Sequence, residues 1–309
     1  MSRSGLKNVL RAAFAVLAIG GLLAATVSRW SDVSDVATSV DATELALAVA
    51  GMVAGTFVSL LSWRAILADL GSRLSVKNAV AIFFVGQLGK YLPGSVWPVV
   101  AQMELGRQHG VPRKQSAVAA MLSMVVGVTA GGLVAAATLP FVAAGELKPY
   151  RYAFLLPAAG LVLLVPRVFD RVSAFGLRLV KRQPLDRGLS PRGIATAMAW
   201  ALLQWALWGL AVSALAEGPG YALCLGAYAL SWIAGFVVIL APAGAGVREG
   251  AFVLLVGASV GNATALGVAL LLRLLSTVAD LFWGIVALAE GGRAALKRRA
   301  MSRTPEFDR

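Results

Sequence analysis

The chain has 309 residues, 59% of them hydrophobic and 14% charged, with a mean hydropathy of +0.78; a soluble globular domain carries about a quarter of its residues as charges, so this composition excludes one and predicts a polytopic membrane protein. The formal charge of +13 does not point to nucleic acid, because the basic residues sit in short loops between apolar runs with no aromatic-interleaved basic module, and the partner that fits them is the bilayer surface. Cys224 and His109 are the only residues of their kinds, which excludes an internal disulfide and argues against a zinc site of protein ligands, so no metal or cofactor is expected.

The predicted elements begin with an apolar stretch at about 10–27, behind Arg3, Lys7 and Arg11. It starts as a secretory signal would, but no small-x-small cleavage site follows, so it reads as an uncleaved first span. Further spans of roughly 20 apolar residues are predicted at about 45–67, 115–142, 152–169, 193–216 and 263–289, giving about six transmembrane helices. Two other apolar segments are interrupted. Residues 79–106 are broken by Lys90 and Pro93-Gly94, and residues 222–258 by the run from Pro242 to Gly250. Each leaves arms of about 10 to 20 residues, the size of a re-entrant helical hairpin rather than a crossing.

Charge supports that topology. If both interrupted segments return to the side they came from, 22 of the 28 lysines and arginines fall on one side, which becomes the cytoplasmic one, together with both termini. The opposite side holds Arg29, Lys148 and Arg151 among six carboxylates. Arginine outnumbers lysine 21 to 7, a bias of GC-rich bacterial coding, so the expected location is a bacterial plasma membrane. The two halves, 1–145 and 146–290, then run span, span, hairpin, span from opposite faces, an inverted-topology repeat within one membrane domain, followed by a basic tail over 291–309. Such repeats place a binding site where their broken helices meet near mid-membrane.

The charged constellation lies at those breaks. A half-helix starting near Ser95, with Trp97 and Pro98 in its first turn, offers free N–H groups beside Lys90 and Tyr91, an anion-binding arrangement opened by Gly94. Lys90 meets an anion there or instead neutralises a carboxylate such as Glu104. In the second break Gly244 and Gly246 permit an unwound turn, and Val247-Arg248-Glu249 opens the returning helix. Arg248 can face an anion with its planar fork, or Arg248 and Glu249 can clamp the hairpin tip. Arg273, Ser276, Thr277 and Asp280 recur at helical spacing on the last span. Arg273 must look into the bundle, paired with Asp280 or Glu249. Gln204 and Trp208 form a packing stripe. Gly51 with Gly55, Gly127 with Gly131 and Gly257 with Gly261 have the spacing of close helix contacts. There is no G-x-G-x-x-G, P-loop or catalytic triad.

The Gly89-Lys90-Tyr91-Leu92-Pro93-Gly94 run with Trp97-Pro98, and the run from Pro242 to Glu249, together resemble the lysylphosphatidylglycerol synthase transmembrane-region family. That family usually carries P-G-G-x-G-V-R-E at the second site, where this chain has Ala243. The resemblance covers nearly the whole chain and implies a helical bundle with two re-entrant hairpins. The activity it implies is movement of an anionic phospholipid or a lipid-linked head group between leaflets, with Lys90, Tyr91, Gly94, Trp97, Gly246, Arg248, Glu249, Arg273 and Asp280 at the substrate. After residue 290 only the basic tail follows, so the aminoacyl-transferase domain of full-length synthases is absent and no enzymatic activity is expected. The competing reading is a non-catalytic membrane subunit that anchors or regulates a lipid-modifying or glycosyltransferase enzyme through the basic stretch Arg167 to Arg192.

Overall fold

The computed structural model describes residues 27–91, 96–142, 155–179, 185, 188–238, 244 and 246–301. Among them every regular element is a helix: α1 (Trp30–Ser39), α2 (Ala42–Asp69), α3 (Val76–Gln87), α4 (Trp97–Gln108), α5 (Arg113–Val142), α6 (Leu155–Leu164), α7 (Pro166–Leu179), α8 (Pro191–Leu215), α9 (Tyr221–Val237), α10 (Val247–Val260) and α11 (Asn262–Met301). Four of these, α2, α5, α8 and α11, contain stretches long and apolar enough to cross a bilayer. Their local starts are coded. Asp41 accepts hydrogen bonds from the N–H groups of Thr43 and Glu44 while Glu44 reaches back to the Asp41 N–H, a reciprocal cap that fixes where α2 begins. At α8 the Ser190 hydroxyl accepts the Gly193 N–H, ahead of a proline at the first helical position.

The centre of the bundle is the antiparallel pair α2 and α8. Lipid tails are as apolar as leucine, so such a pair is held by close contact and hydrogen bonds rather than by transfer from water. A Cβ added at Gly51 would lie 2.8 Å from the Leu207 carbonyl oxygen, and one at Gly55 2.5 Å from the Trp208 ring. The glycines therefore let the helices touch. Polar links lock the register: Ser62 donates to the Ala197 carbonyl at 2.9 Å, and Asp69 accepts from the Ser190 N–H at 2.6 Å and from its hydroxyl at 2.7 Å. Gly131 packs directly on the Trp205 ring, whose indole N–H donates to the Gly127 carbonyl at 3.0 Å. On the other flank the Trp283 indole donates to the Val53 carbonyl at 3.0 Å.

Each interrupted segment folds as a helical hairpin. In the first, α3 and α4 run antiparallel, with Gly86 against Gln102 and Gly89 against Trp97 and Pro98. At 12 residues each, these arms extend about 18 Å, well short of the roughly 30 Å hydrocarbon core. In the second, α9 and α10 are 17 and 14 residues long, about 25 and 21 Å, with Gly235 against Gly244 and Arg248. The hairpins exchange partners. The first arm of each lies on the long helix of the other half, α3 on α11 and α9 on α5; the second arm lies on that of its own half, α4 on α5 and α10 on α11.

Several expectations need correction or lie elsewhere. The span predicted at 152–169 is not one helix: α6 ends at Leu164, and Pro166 opens α7 at a new angle. Proline has no N–H to continue the ladder, and its ring pushes Val165 out of the helical region. The segment after Arg29, for which no element was predicted, forms α1, whose Val33 and Val36 are buried and whose backbone at Asp32 touches Gly267 of α11. Gly257 and Gly261 are not a helix-packing pair; Gly261 has φ +87° and forms the turn between α10 and α11, while Gly257 meets Asn262. The first predicted span at 10–27 and the stretch around Lys148 and Arg151 lie outside the described residues, as do residues 302–309 of the tail.

Candidate functional site

The two hairpin turns are built so that charged side chains leave them toward α11. In the first, Leu88–Tyr91 tightens into a 3-10 turn, and Gly89 sits so close to α4 that an added Cβ would lie 3.0 Å from the Pro98 nitrogen. Trp97 and Pro98 open α4 as expected, the proline taking a place where no N–H is needed. Gly94, with Leu92, Pro93 and Ser95, lies outside the described residues. In the second hairpin Gly244 and Gly246 have φ of +73° and +81°, a left-handed region that only glycine enters freely. A Cβ on Gly244 would also lie 2.9 Å from the Gly235 Cα. Gly244→Ala is therefore expected to destabilise the protein by about 1–3 kcal/mol, read as a lower unfolding midpoint in detergent. Gly250→Ala, inside α10 with open space around it, should be neutral or slightly stabilising in the same assay.

Five charged groups follow. The Lys90 ammonium lies 2.6 Å from Asp280 Oδ2, and the Tyr91 hydroxyl donates to the same oxygen at 2.7 Å. Arg273 pairs with Glu249 Oε1, and Glu249 Oε2 accepts the Gly246 N–H at 2.7 Å. Arg273 and Asp280, seven residues apart on one face of α11, are thus each bound to a different hairpin. Ser276 and Thr277, on the same face, hydrogen-bond back to the Arg273 carbonyl. Arg248 is the fifth group. Half-buried at the start of α10, it donates to the Tyr228 hydroxyl and lies 4.7 Å from that ring's centre. Among the described residues no carboxylate pairs with it. Counted together, three cations face two carboxylates, and the surplus positive charge sits on Arg248.

The pairing settles two alternatives. Arg273 takes Glu249 rather than Asp280, because Asp280 is held by Lys90 and Tyr91. Lys90 does not neutralise Glu104, which accepts from Arg113 and Arg107 instead. Those guanidinium hydrogen bonds, Arg113 first, hold the Glu104 carboxyl below its ordinary range and tie the end of α4 to the start of α5. Trp97 lies against Gly89 and serves the turn.

Beside Arg248 lies a small cavity lined by Tyr228, Ser231, Arg248, Glu249 and Phe252, with about 10 Å3 open, room for about one water. Tyr228 was not among the residues anticipated from sequence. The only signal is that Tyr228 and Ser231 stand three residues apart on an otherwise apolar helix, so both face one side. Around Tyr228 stand the rings of Trp205 and Trp208, both edge-on to it, and they fix its orientation.

The family described as Lysylphosphatidylglycerol synthase TM region matches residues 13–284, a range that includes both hairpins and all five charged groups. No curated protein matches the chain.

Proposed function

That this chain belongs to the lysylphosphatidylglycerol synthase transmembrane-region family is the premise from which we propose that it is a lipid flippase. It moves an anionic phospholipid, or a head group on a polyprenyl-phosphate type carrier, between leaflets. The observation that carries the reading is Arg248: a half-buried guanidinium at a helix N-terminus, with no carboxylate partner among the described residues and a cavity at its side. A cation kept inside a membrane domain needs a counter-charge, and a phosphate supplies one with two oxygens matched to its fork. The α10 N-terminus adds its own partial positive charge. Lys90 and Gly246 complete the cradle, while Glu249, Arg273 and Asp280 set its charge balance.

The exchange of partners by the hairpins supports an inverted repeat. Swapping α2 for α8, α3 for α9, α4 for α10 and α5 for α11 carries these helix contacts into one another, and a tryptophan-to-carbonyl bond ties α2 to α11 and α5 to α8, although its donor lies on α11 in one pair and on α8 in the other. In such folds a site at the repeat interface opens to either leaflet by rocking of one unit on the other. The cavity at Arg248 is too small for a phosphate, so this arrangement is a closed one from which the hairpins must part. The protein acts as a multi-pass plasma-membrane transporter of a bacterium, with both ends cytoplasmic and no chemistry on the lipid.

The test is reconstitution. Purified chain in vesicles should move a fluorescent phosphatidylglycerol across the bilayer and leave phosphatidylcholine in place, and Lys90→Ala should slow the movement at least tenfold. Unchanged flipping by Lys90→Ala would remove Lys90 from the cradle; no flipping of phosphatidylglycerol or a polyprenyl phosphate would reject the transporter. One observation favours the subunit reading: α7 carries Arg167, Arg171 and Arg178 on one face, beside exposed Val172 and Phe175, an amphipathic surface suited to the interface or to a partner enzyme. A stoichiometric enzyme co-purifying with a chain that flips nothing would establish it.

A further inference from the structure

We infer that α7 lies in the head-group layer of the membrane and binds anionic lipid there, its arginines holding phosphates at the end of the bundle where α2 finishes and α8 begins. The inference goes beyond the transport reading and is independent of whether the chain moves lipid. At 100° per residue, Arg167, Arg171 and Arg178 fall within about 40° of one another round α7, and Val168, Val172 and Phe175 form the adjoining stripe. All three arginines are exposed, and among the described residues none is paired with a carboxylate. Val172 is exposed as well, and Phe175 is 65% open.

The other side of the helix is spoken for. Phe169 is buried in the core. Asp170, the one carboxylate of α7, points away from Val172 and Phe175 toward the chain ahead of α8, where a Cβ added at Gly188 would lie 2.5 Å from its Oδ1. That contact sets the depth of α7. Gly188 stands two residues before Ser190, about 7 Å of chain, and Ser190 bonds to Asp69, the last residue of α2. The second turn of α7 is therefore level with the ends of two long apolar helices, where hydrocarbon gives way to head groups. Among the described residues α6 is the only helix that α7 packs against closely, so its later turns leave the bundle with Val172 and Phe175 uncovered.

What covers them follows from continuity with α6. Leu161, Val162 and Leu163 on that apolar half-span are exposed, as is Val165 at the break, and this lipid-facing surface leads directly into the stripe of Val172 and Phe175. A soluble protein would have to dock on hydrocarbon-facing side chains as well as on basic ones. A leaflet containing anionic lipid meets both: acyl chains lie against Val172 and Phe175, and the arginine stems carry their planar forks up to the phosphates.

The test uses the full chain in nanodiscs of phosphatidylcholine and phosphatidylglycerol. Cys224 is the only cysteine and is buried, so one introduced cysteine can be labelled by itself. A nitroxide on Phe175→Cys should be relaxed by oxygen and shielded from a water-soluble nickel chelate, whereas one on Arg171→Cys should meet the chelate. Titration of phosphatidylglycerol onto the protein, read by native mass spectrometry, should show at least about tenfold weaker binding for the triple variant Arg167→Gln, Arg171→Gln, Arg178→Gln, since each arginine near an anionic surface supplies about fivefold. Its unfolding midpoint and its phosphatidylcholine binding should match wild type, and the corresponding triple lysine variant should keep most of the phosphatidylglycerol binding. A label at position 175 open to the chelate, or a glutamine variant that binds phosphatidylglycerol as wild type does, would overturn the inference. Protection of that label from oxygen and chelate alike would also overturn it, because a protein would then cover α7, as the subunit reading requires.

Discussion

Arg248→Ala is expected to slow phosphatidylglycerol translocation in vesicles by about 100-fold, equivalent to about 2.7 kcal/mol, while the protein remains folded. The separation of the two effects follows from its surroundings. Its partner is the Tyr228 hydroxyl, together with the face of that ring, and among the described residues no carboxylate depends on it. Truncation therefore strands no buried charge and opens only a small cavity beside Phe252. What it removes is the planar, two-pronged donor that a phosphate would meet. Arg248→Lys should retain part of the rate, because the charge survives while the fork and its stacking on Tyr228 do not. Elution profile and unfolding midpoint close to wild type, together with lost flipping, would mark a substrate contact. Flipping at the wild-type rate in Arg248→Ala would remove the observation on which the function rests.

Arg273 should behave in the opposite way. Both members of the Arg273–Glu249 pair are more than nine-tenths buried, at 9% and 8% side-chain exposure, and Glu249 also receives the Gly246 N–H. Removing one partner leaves an uncompensated charge inside the bundle, so Arg273→Met or Glu249→Leu alone should cost about 3–5 kcal/mol. The double variant Arg273→Met with Glu249→Leu should recover most of that loss, since desolvating two ions largely cancels their attraction. Unfolding midpoints of the four proteins in detergent form the double-mutant cycle. Additive losses would mean that the two residues do not act as a pair. Recovered stability without recovered flipping would show that the pair holds α10 to α11 for transport rather than for folding.

Much of the outline was legible without coordinates. Composition and the lengths of the apolar runs alone determine a multi-pass helical membrane protein, because hydrocarbon tolerates little else. The breaks at Lys90 and at Pro242 to Gly250 were visible for the same reason: glycine, proline and charge in an apolar run have no other explanation than a turn. The local signals were as direct. Pro98 marks the start of α4, Gly244 and Gly246 the turn ahead of α10, and Gly51 and Gly55 the seam between α2 and α8.

Where local grammar competed with hydropathy, hydropathy misled. The run at 152–169 is apolar but for Arg167, yet Pro166 divides it. Pairing was beyond the sequence altogether. That Lys90 answers Asp280 across 189 intervening positions, that Arg273 answers Glu249, and that Tyr228 holds Arg248, which meets no carboxylate among the described residues, depend on which hairpin arm lies on which long helix. Sequence fixes how many charges enter the membrane. The Coulomb energy that pairs them falls off over a few ångströms, so only the tertiary packing, which decides those distances, could say which cation is spoken for and which is free to meet a ligand.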